Sequence, residues 1–226
     1  MVSKNETVWT VFILLGFSSN TWTQSGLFVF FFCIFLINLI SNLLIITVSI
    51  TDISLQTPMY FFLSNLSLMD IFSSSTVVPR LLRDLMSNDK TISFLECAAQ
   101  MYISLCFGTT ECILLSAMAY DRYAAICYPL RYTTMMNQSA CIKIASATWI
   151  FGFLFPIFFV AHTLNLNICA NNTIKHFFCD VPGVLALGCG DKAKGPINLW
   201  LPSDGSGTIL YLSNVYIHEA QVNHFI

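Results

Sequence analysis

Residues 26–50 read GLFVFFFCIFLINLISNLLIITVSI, an apolar run that contains no charged residue. An α-helix needs about 20 apolar residues to cross the hydrocarbon core of a bilayer. This run is therefore predicted to form a membrane-spanning helix.

Three further stretches have the same character. Residues 59–78 contain a single charged side chain, Asp70, and residues 98–118 contain only Glu111. Residues 144–161 contain none. The sequence therefore predicts an all-α membrane protein with four transmembrane helices.

The rest of the chain divides by composition. We expect an extracellular N-terminus at residues 1–25, the four helices with short loops at 26–161, and a cysteine-bearing extracellular loop at 162–191. No apolar run in residues 192–226 exceeds a few residues, and glycine and proline break up its first half, so this segment is predicted to form an irregular, disordered tail.

The overall composition supports lipid as the main solvent of this chain. Of its 226 residues, 56% are hydrophobic and 10% are charged, and the mean hydropathy is +0.70. A soluble domain has roughly a quarter charged residues. The net charge of −2 provides no electrostatic basis for binding nucleic acid.

Glycosylation tripeptides suggest the orientation, because the Lys and Arg counts of the loops do not settle it. Two of them begin at Asn5 and Asn171, and four spans would place both on one side. Since glycans are added only in the lumen, we expect both sites to be glycosylated and both chain ends to lie outside. Such tripeptides also arise by chance, and those at Asn65 and Asn137 lie in a span and a cytosolic loop.

The nine cysteines fall into two redox environments in this topology. Four are luminal and could pair in three ways, among which these positions do not choose: Cys97, Cys169, Cys179 and Cys189. Five lie in spans or on the cytosolic side: Cys33, Cys106, Cys112, Cys127 and Cys141.

Two acidic residues lie at similar depth in adjacent spans. Asp70 follows Pro58 by 12 residues, which is about 18 Å at 1.5 Å per residue. Glu111 precedes Arg122 by 11 residues, or about 16 Å, and Asn42 is near the same layer. An ionised group inside a bilayer is costly, so we expect these acids to have partners and a function.

Two neighbouring carboxylates repel each other unless one is protonated or a cation lies between them. A small hard cation held by carboxylate, amide and hydroxyl oxygens would satisfy both. The candidate hydroxyl groups belong to Ser67, Ser73 and Ser74. The alternative is one neutral acid that is hydrogen-bonded to the other.

Three longer motifs carry a family resemblance. Residues 118–132 read MAYDRYAAICYPLRY, residues 57–67 read TPMYFFLSNLS, and residues 176–180 read HFFCD. In this order and spacing they resemble motifs of odorant receptors, which are rhodopsin-like G-protein-coupled receptors. The resemblance covers about residues 1–191.

This resemblance implies two polar sites. One is a switch that contacts a heterotrimeric G protein, formed by Asp121, Arg122 and Tyr123. The other is a sodium-type cation site, formed by Asp70, Glu111 and Asn42. Without the surrounding motif, the first group would be read only as a charged cap that anchors a helix end at the membrane interface.

The resemblance also implies disulfides, a glycan and a ligand pocket. Cys97 would pair with Cys179, Cys169 would pair with Cys189, and Asn5 would carry the N-terminal glycan. The pocket for a small volatile odorant would include the upper face of the third span, at Met101, Ser104, Leu105, Gly108 and Thr109. Ordinary helix packing is the alternative for this face, because small residues are expected there too.

The family has seven spans, and nothing after Asp191 resembles the fifth, sixth or seventh. Activation in this family moves spans five and six, so we expect the chain, read as truncated, not to signal by itself. One set of permitted codons for residues 198–205, read one base later, encodes Thr-Cys-Gly-Ser-His-Leu-Thr, which resembles the start of the sixth span. We therefore hypothesise that the tail is read out of frame, as in a pseudogene.

The alternatives to an odorant receptor are an interaction protein, a tetraspanin-like organiser and an enzyme. A four-span chain could instead associate with intact receptor chains and retain them in the endoplasmic reticulum rather than reach the plasma membrane. A tetraspanin-like organiser would need a large cysteine-rich loop between spans three and four, where this chain has a short one. No loop groups residues in a recognisable catalytic pattern, so we do not expect an enzyme.

Overall fold

The computed structural model describes residues 11–14, 20–87, 91–164, 173–174, 178–185 and 187–188. Its helices in chain order are α1 (Thr21–Thr51), α2 (Pro58–Met86), α3 (Phe94–Cys127), the one-turn α4 (Tyr132–Met135), α5 (Gln138–Leu164) and the short α6 (Val181–Leu185). Helices α1, α2, α3 and α5 are each long and apolar enough to cross a membrane. The predicted fold of four membrane helices is confirmed.

These four helices extend beyond the predicted spans at both ends. They contain between 27 and 34 residues. At 1.5 Å per residue this is about 40–50 Å, whereas the hydrocarbon core is about 30 Å thick. Hydropathy detects only the part of a helix that suits hydrocarbon, while helical hydrogen bonding continues into the polar ends. In α2, for example, Arg80 forms a salt bridge of 2.9 Å with Asp84 one turn later.

Contacts divide the chain into two compact units, which are described separately. The first comprises Met1–Phe32, Thr76–Ser104 and Ile157–Thr208. It contains a three-stranded sheet in which β1 (Val11–Leu14) lies between β2 (Thr91–Ser93), which is antiparallel to it, and β3 (Thr173–Ile174), which is parallel. The sequence analysis did not predict this sheet, because strands of two to four residues are too short to show a reliable alternation.

One face of the sheet contributes to the core of the first unit. Phe12 and Leu14 are buried while Val11 and Ile13 are exposed, as expected for a strand with one face covered. The buried cluster comprises Phe12, Leu14, Ile92, Cys97, Ile174, Cys179, Val184 and Leu187. The N-terminal strand is thereby packed onto segments that are about 80 and 160 residues away in the chain.

Among the described residues the second unit comprises Cys33–Ser75 and Leu105–Pro156. Its buried apolar cluster contains Phe62, Met69, Leu114, Ala124, Met136, Cys141 and Ala145. Helices α3 and α5 approach each other closely at Gly152, where an added Cβ would overlap the side chain of Thr110. Small residues allow such close approach of helix backbones in membrane proteins.

Candidate functional site

A polar layer links α1 and α2 in the second unit. Asn42 is the only buried residue of α1, and its Nδ2 donates to the Asn38 carbonyl oxygen at 3.0 Å. The Ser74 hydroxyl lies 3.0 Å from Asn38 Oδ1 and 2.6 Å from the Asp70 carbonyl oxygen. Because a hydroxyl has one hydrogen, Ser74 donates to one of them at a time.

Asn38, which supplies the bond between the two helices, is not among the predicted site residues. The signal was present, since Asn38 and Asn42 are four residues apart and therefore share a helix face. The predicted polar layer was chosen from the charged residues of the spans. The uncharged amide of Asn38, one turn from Asn42, is less conspicuous in an apolar run.

Asp70 and Glu111 are half-buried on α2 and α3 of the same unit. Neither carboxyl group forms a salt bridge with a described residue. Ser67 is buried and Ser73 is half-buried on α2. Because no group of three or more His, Cys, Asp or Glu occurs in the described ranges, a cation here would depend on amide and hydroxyl oxygens as well as on the two carboxylates.

The end of α3 presents the Asp-Arg-Tyr motif in two different environments. Asp121 is only 1% exposed, and its Oδ1 accepts a hydrogen bond of 2.8 Å from the Tyr132 hydroxyl on α4. Arg122 and Tyr123 are exposed. Within the described residues Arg122 forms no salt bridge, so its guanidinium is available to a partner.

Tyr132 is the last residue of the motif at 118–132, but no role was predicted for it from the sequence. Burial and, secondarily, the hydrogen bond to the Asp121 carboxylate raise the pKa of Tyr132 to about 12. Both effects favour the neutral phenol. The tyrosine therefore remains a donor to Asp121 throughout the physiological pH range.

The first unit contains a disulfide between Cys97, in the first turns of α3, and Cys179, just before α6, with a Cα–Cα distance of 5.4 Å. The backbone N–H of Cys179 also donates to Gln100 Oε1 at 3.2 Å. This second contact holds the segment against α3 independently of the sulfur bond. Four of the predicted sites lie outside the described residues: Asn5, Asn171, Cys169 and Cys189.

The residues predicted to line an odorant pocket all lie on α3. Met101 is buried, whereas Ser104, Leu105, Gly108 and Thr109 are half-buried. Met101 and Ser104 belong to the first unit and the other three to the second. Their partial burial is compatible with either helix packing or contact with a ligand.

The two glycosylation tripeptides that were set aside have structural roles. Asn65 Oδ1 accepts from Trp149 Nε1 at 3.2 Å, and Asn65 Nδ2 donates to the Phe61 carbonyl oxygen at 2.9 Å. Asn137 Oδ1 accepts from the Ala140 N–H at 2.8 Å at the start of α5. Both asparagine side chains thus form hydrogen bonds within the chain.

Comparison with known proteins shows the family. The family model for olfactory receptors matches residues 31–198. Human olfactory receptor 10A7 is 48% identical over 187 residues, which are 83% of this chain and 59% of that protein. Human olfactory receptors 2K2 and 5B3 are each 46% identical over 189 residues, or 84% of this chain and 60% of theirs. The chain thus spans about 60% of the length of these relatives, and it belongs to the olfactory receptor family.

Proposed function

We propose that this chain forms the first four helices of an odorant receptor that couples to a heterotrimeric G protein, and that these 226 residues do not signal by themselves. The carrying observation is the geometry at the end of α3. The hydrogen bond between Asp121 and Tyr132 holds the acid inside the protein, while the neighbouring Arg122 is exposed. A G protein could therefore contact the guanidinium without first breaking an internal salt bridge.

The second half of the proposal follows from what a switch requires. A receptor responds to a ligand only if it has two conformations that the ligand distinguishes. The described residues include the switch side chains but only four membrane helices, and about two fifths of each matched relative lies outside the matched region. Signalling would need the moving helices of the remaining segment.

A split-receptor experiment tests this proposal. The 226-residue chain is expressed alone or with the complementary C-terminal segment of human olfactory receptor 10A7. G-protein activation is measured by energy transfer between labelled subunits, with a mixture of volatile aldehydes and esters as the probe. We expect activation only in the co-expressed pair. Activation by the chain alone would contradict the proposal.

Two arginines make a matched pair for the same assay, because both are exposed and lie beyond the apolar part of α3. Arg122→Ala is expected to abolish activation in the co-expressed pair, whereas Arg131→Ala should leave most of it. Equal losses in both variants would mean that general positive charge, and not the switch, supports coupling.

The sodium-type site is proposed on the same basis, with Asp70, Glu111 and Asn42 as the oxygen donors. The supporting observation is that neither the Asp70 nor the Glu111 carboxyl group forms a salt bridge with a described residue. Replacing potassium by sodium in the buffer is expected to raise the thermal stability of the purified chain, and Asp70→Asn should remove that difference. A sodium effect that persists in Asp70→Asn would place the ion elsewhere.

The proposal includes two kinds of extracellular covalent feature, glycans and a second disulfide. We expect glycans on Asn5 and Asn171, and a second disulfide between Cys169 and Cys189. Loss of glycosidase-sensitive mass in Asn5→Gln and Asn171→Gln, each measured separately, tests the glycans. Mapping of non-reduced peptides tests the disulfide, and a free thiol at Cys169 would contradict it.

A second candidate function is association with intact receptors in the endoplasmic reticulum. It is favoured by the surface of α1, where Asn42 is the only buried residue of a helix that carries many exposed apolar side chains. Co-precipitation with a full-length relative, together with glycosidase sensitivity and surface labelling, separates the two. Mature glycan at the surface without an associated receptor would argue against retention.

A further inference from the structure

A groove lies at one end of the second unit. It has a volume of about 680 Å³ and is formed by the end of α1, the 3₁₀ turn Ile53–Leu55, the start of α2 and the start of α5. Its size falls within the roughly 300–1,000 Å³ that is usual for ligand sites.

The lining of this groove is uncharged and graded in polarity. No Asp, Glu, Lys or Arg lines it. At its mouth Gln56 and Gln138 are exposed, and neither side chain has a hydrogen-bond partner among the described residues. Farther in, the Ser64 hydroxyl donates to the Tyr60 carbonyl oxygen at 2.9 Å, so it does not require a partner from a ligand. The Ser49 hydroxyl and the Asn65 amide, which also line the groove, are likewise hydrogen-bonded within the protein.

The depth of the groove corresponds to one leaflet. Along α2 its lining runs from Pro58 at the helix start to Leu68, ten residues later. At 1.5 Å per residue this is about 15 Å, half of the roughly 30 Å hydrocarbon core. An amphiphile that spans one leaflet would fit with its polar part at the glutamines.

The groove is continuous with the surface that faces lipid. Ile50 on α1 is 67% exposed and Ile142 on α5 is 48% exposed, and both line the groove while remaining open to its surroundings. In a chain whose long helices cross a membrane, apolar side chains exposed near a helix end can contact the acyl chains of the adjacent leaflet. A lipid can therefore enter the groove sideways from the bilayer.

We propose that this groove binds a diacylglycerophospholipid of the surrounding leaflet, with one acyl chain along α2 and the ester region at Gln56 and Gln138. Each glutamine amide can donate hydrogen bonds, and the two ester carbonyls of such a lipid are acceptors. A sterol has a single hydroxyl and could accept from only one of the two amides. The absence of charge in the lining favours contact with the uncharged ester region rather than with a charged headgroup.

Photo-crosslinking tests this inference with the 226-residue chain in cell membranes. The probe is a phosphatidylcholine that carries a diazirine on one acyl chain, and labelled peptides are mapped by mass spectrometry. We expect labelling of the α2 and α5 segments that line the groove to exceed labelling of the exposed apolar surface around Leu154 several-fold. Even labelling along all exposed helix surfaces would overturn the proposal.

Two serines provide a matched pair of groove-filling variants. Ser64 lines the groove and Ser116 on α3 does not, and each donates to the carbonyl oxygen four residues earlier, at 2.9 Å and 2.8 Å. Ser64→Phe is expected to reduce groove labelling several-fold, whereas Ser116→Phe should not change it. Unchanged labelling in Ser64→Phe would contradict the assignment.

Variants at the mouth keep the test decisive if Ser64→Phe does not fold. Gln56→Ala and Gln138→Ala change exposed side chains, and each should weaken labelling by about fivefold if it removes one net hydrogen bond. Labelling of the groove by a sterol diazirine in preference to the phospholipid, or crosslinking of two copies of the chain through it, would overturn the lipid assignment.

Discussion

Replacing Gly152 by alanine tests the close approach of α3 and α5. A Cβ at this position would overlap the Thr110 hydroxyl, and it would lie 2.9 Å from Thr110 Cβ and 3.3 Å from Thr110 Cα. The last two atoms belong to the stiff part of a β-branched residue, so rotating the side chain cannot relieve the contact fully. The helices would have to separate by a few tenths of an ångström.

The size of the effect follows from the cost of overpacking. One extra carbon in a tightly packed site costs about 1–3 kcal/mol. For a chain of this size, each kcal/mol corresponds to a shift of about 2–4 °C in melting temperature, so we expect a decrease of about 2–12 °C. Truncating the partner in Gly152→Ala/Thr110→Ala removes the hydroxyl overlap and should restore part of the loss.

The assay is the fraction of fluorescently tagged chain that remains monodisperse in detergent after heating. Gly26→Ala is the matched control, because a Cβ at Gly26 on α1 meets nothing within 4 Å. It should leave stability unchanged or raise it slightly, since alanine is the better helix former by about 1 kcal/mol. If Gly152→Ala were as stable as Gly26→Ala, the proposed contact between α3 and α5 would be wrong.

Three further predictions concern polar contacts. The difference in tyrosinate absorbance between the wild type and Tyr132→Phe should titrate at about 12, and not near the ordinary tyrosine value of about 10. The raised pKa of Tyr132 keeps its hydrogen bond to Asp121 intact until the pH rises through that value. Asn38→Leu and Ser74→Ala should each cost about 0.6 kcal/mol in thermal stability, and the double variant should cost no more than one of them, because both remove the same bond. Cys97→Ala should lower stability by about 2–5 kcal/mol, since its disulfide closes a sequence separation of 82 residues, and it should shift mobility on a non-reducing gel.

Contrary outcomes are specific to each of these tests. A Tyr132 titration at the ordinary tyrosine value would mean that the phenol is solvated and does not donate to the carboxylate. Additive losses in Asn38→Leu/Ser74→Ala would show that the two side chains act separately, with Ser74 bonded to the Asp70 carbonyl instead. A Cys97→Ala chain with unchanged stability would mean that the Gln100 contact is sufficient to hold the Cys179 segment.

The membrane helices were predictable because their signal is local. About 20 consecutive, mainly apolar residues mark each span, and each span lies within a longer helix of the structure. The helix ends were less predictable, since residues such as Arg80 and Asp84 are polar and still helical. The three-stranded sheet was not predictable, because β1 pairs with residues about 80 and 160 positions away.

Some residues of the candidate site could also be identified from the sequence, whereas others could not. Asp70, Glu111 and the Asp121 motif could be chosen from the sequence, because a charged residue in or beside an apolar run is conspicuous. Asn38 and Tyr132 could not be assigned partners in this way, since neither carries a charge and each acts through a residue on another helix.

By itself the sequence determined the class of solvent, the number of membrane helices and the family, because composition and contiguous motifs do not depend on what lies nearby in space. Only the tertiary structure decided which polar groups are paired, that a glycine on α5 faces Thr110, and that the ends of three helices and a 3₁₀ turn enclose an uncharged groove. These properties are distances between residues far apart in the chain, and hydrophobic periodicity contains no information about them.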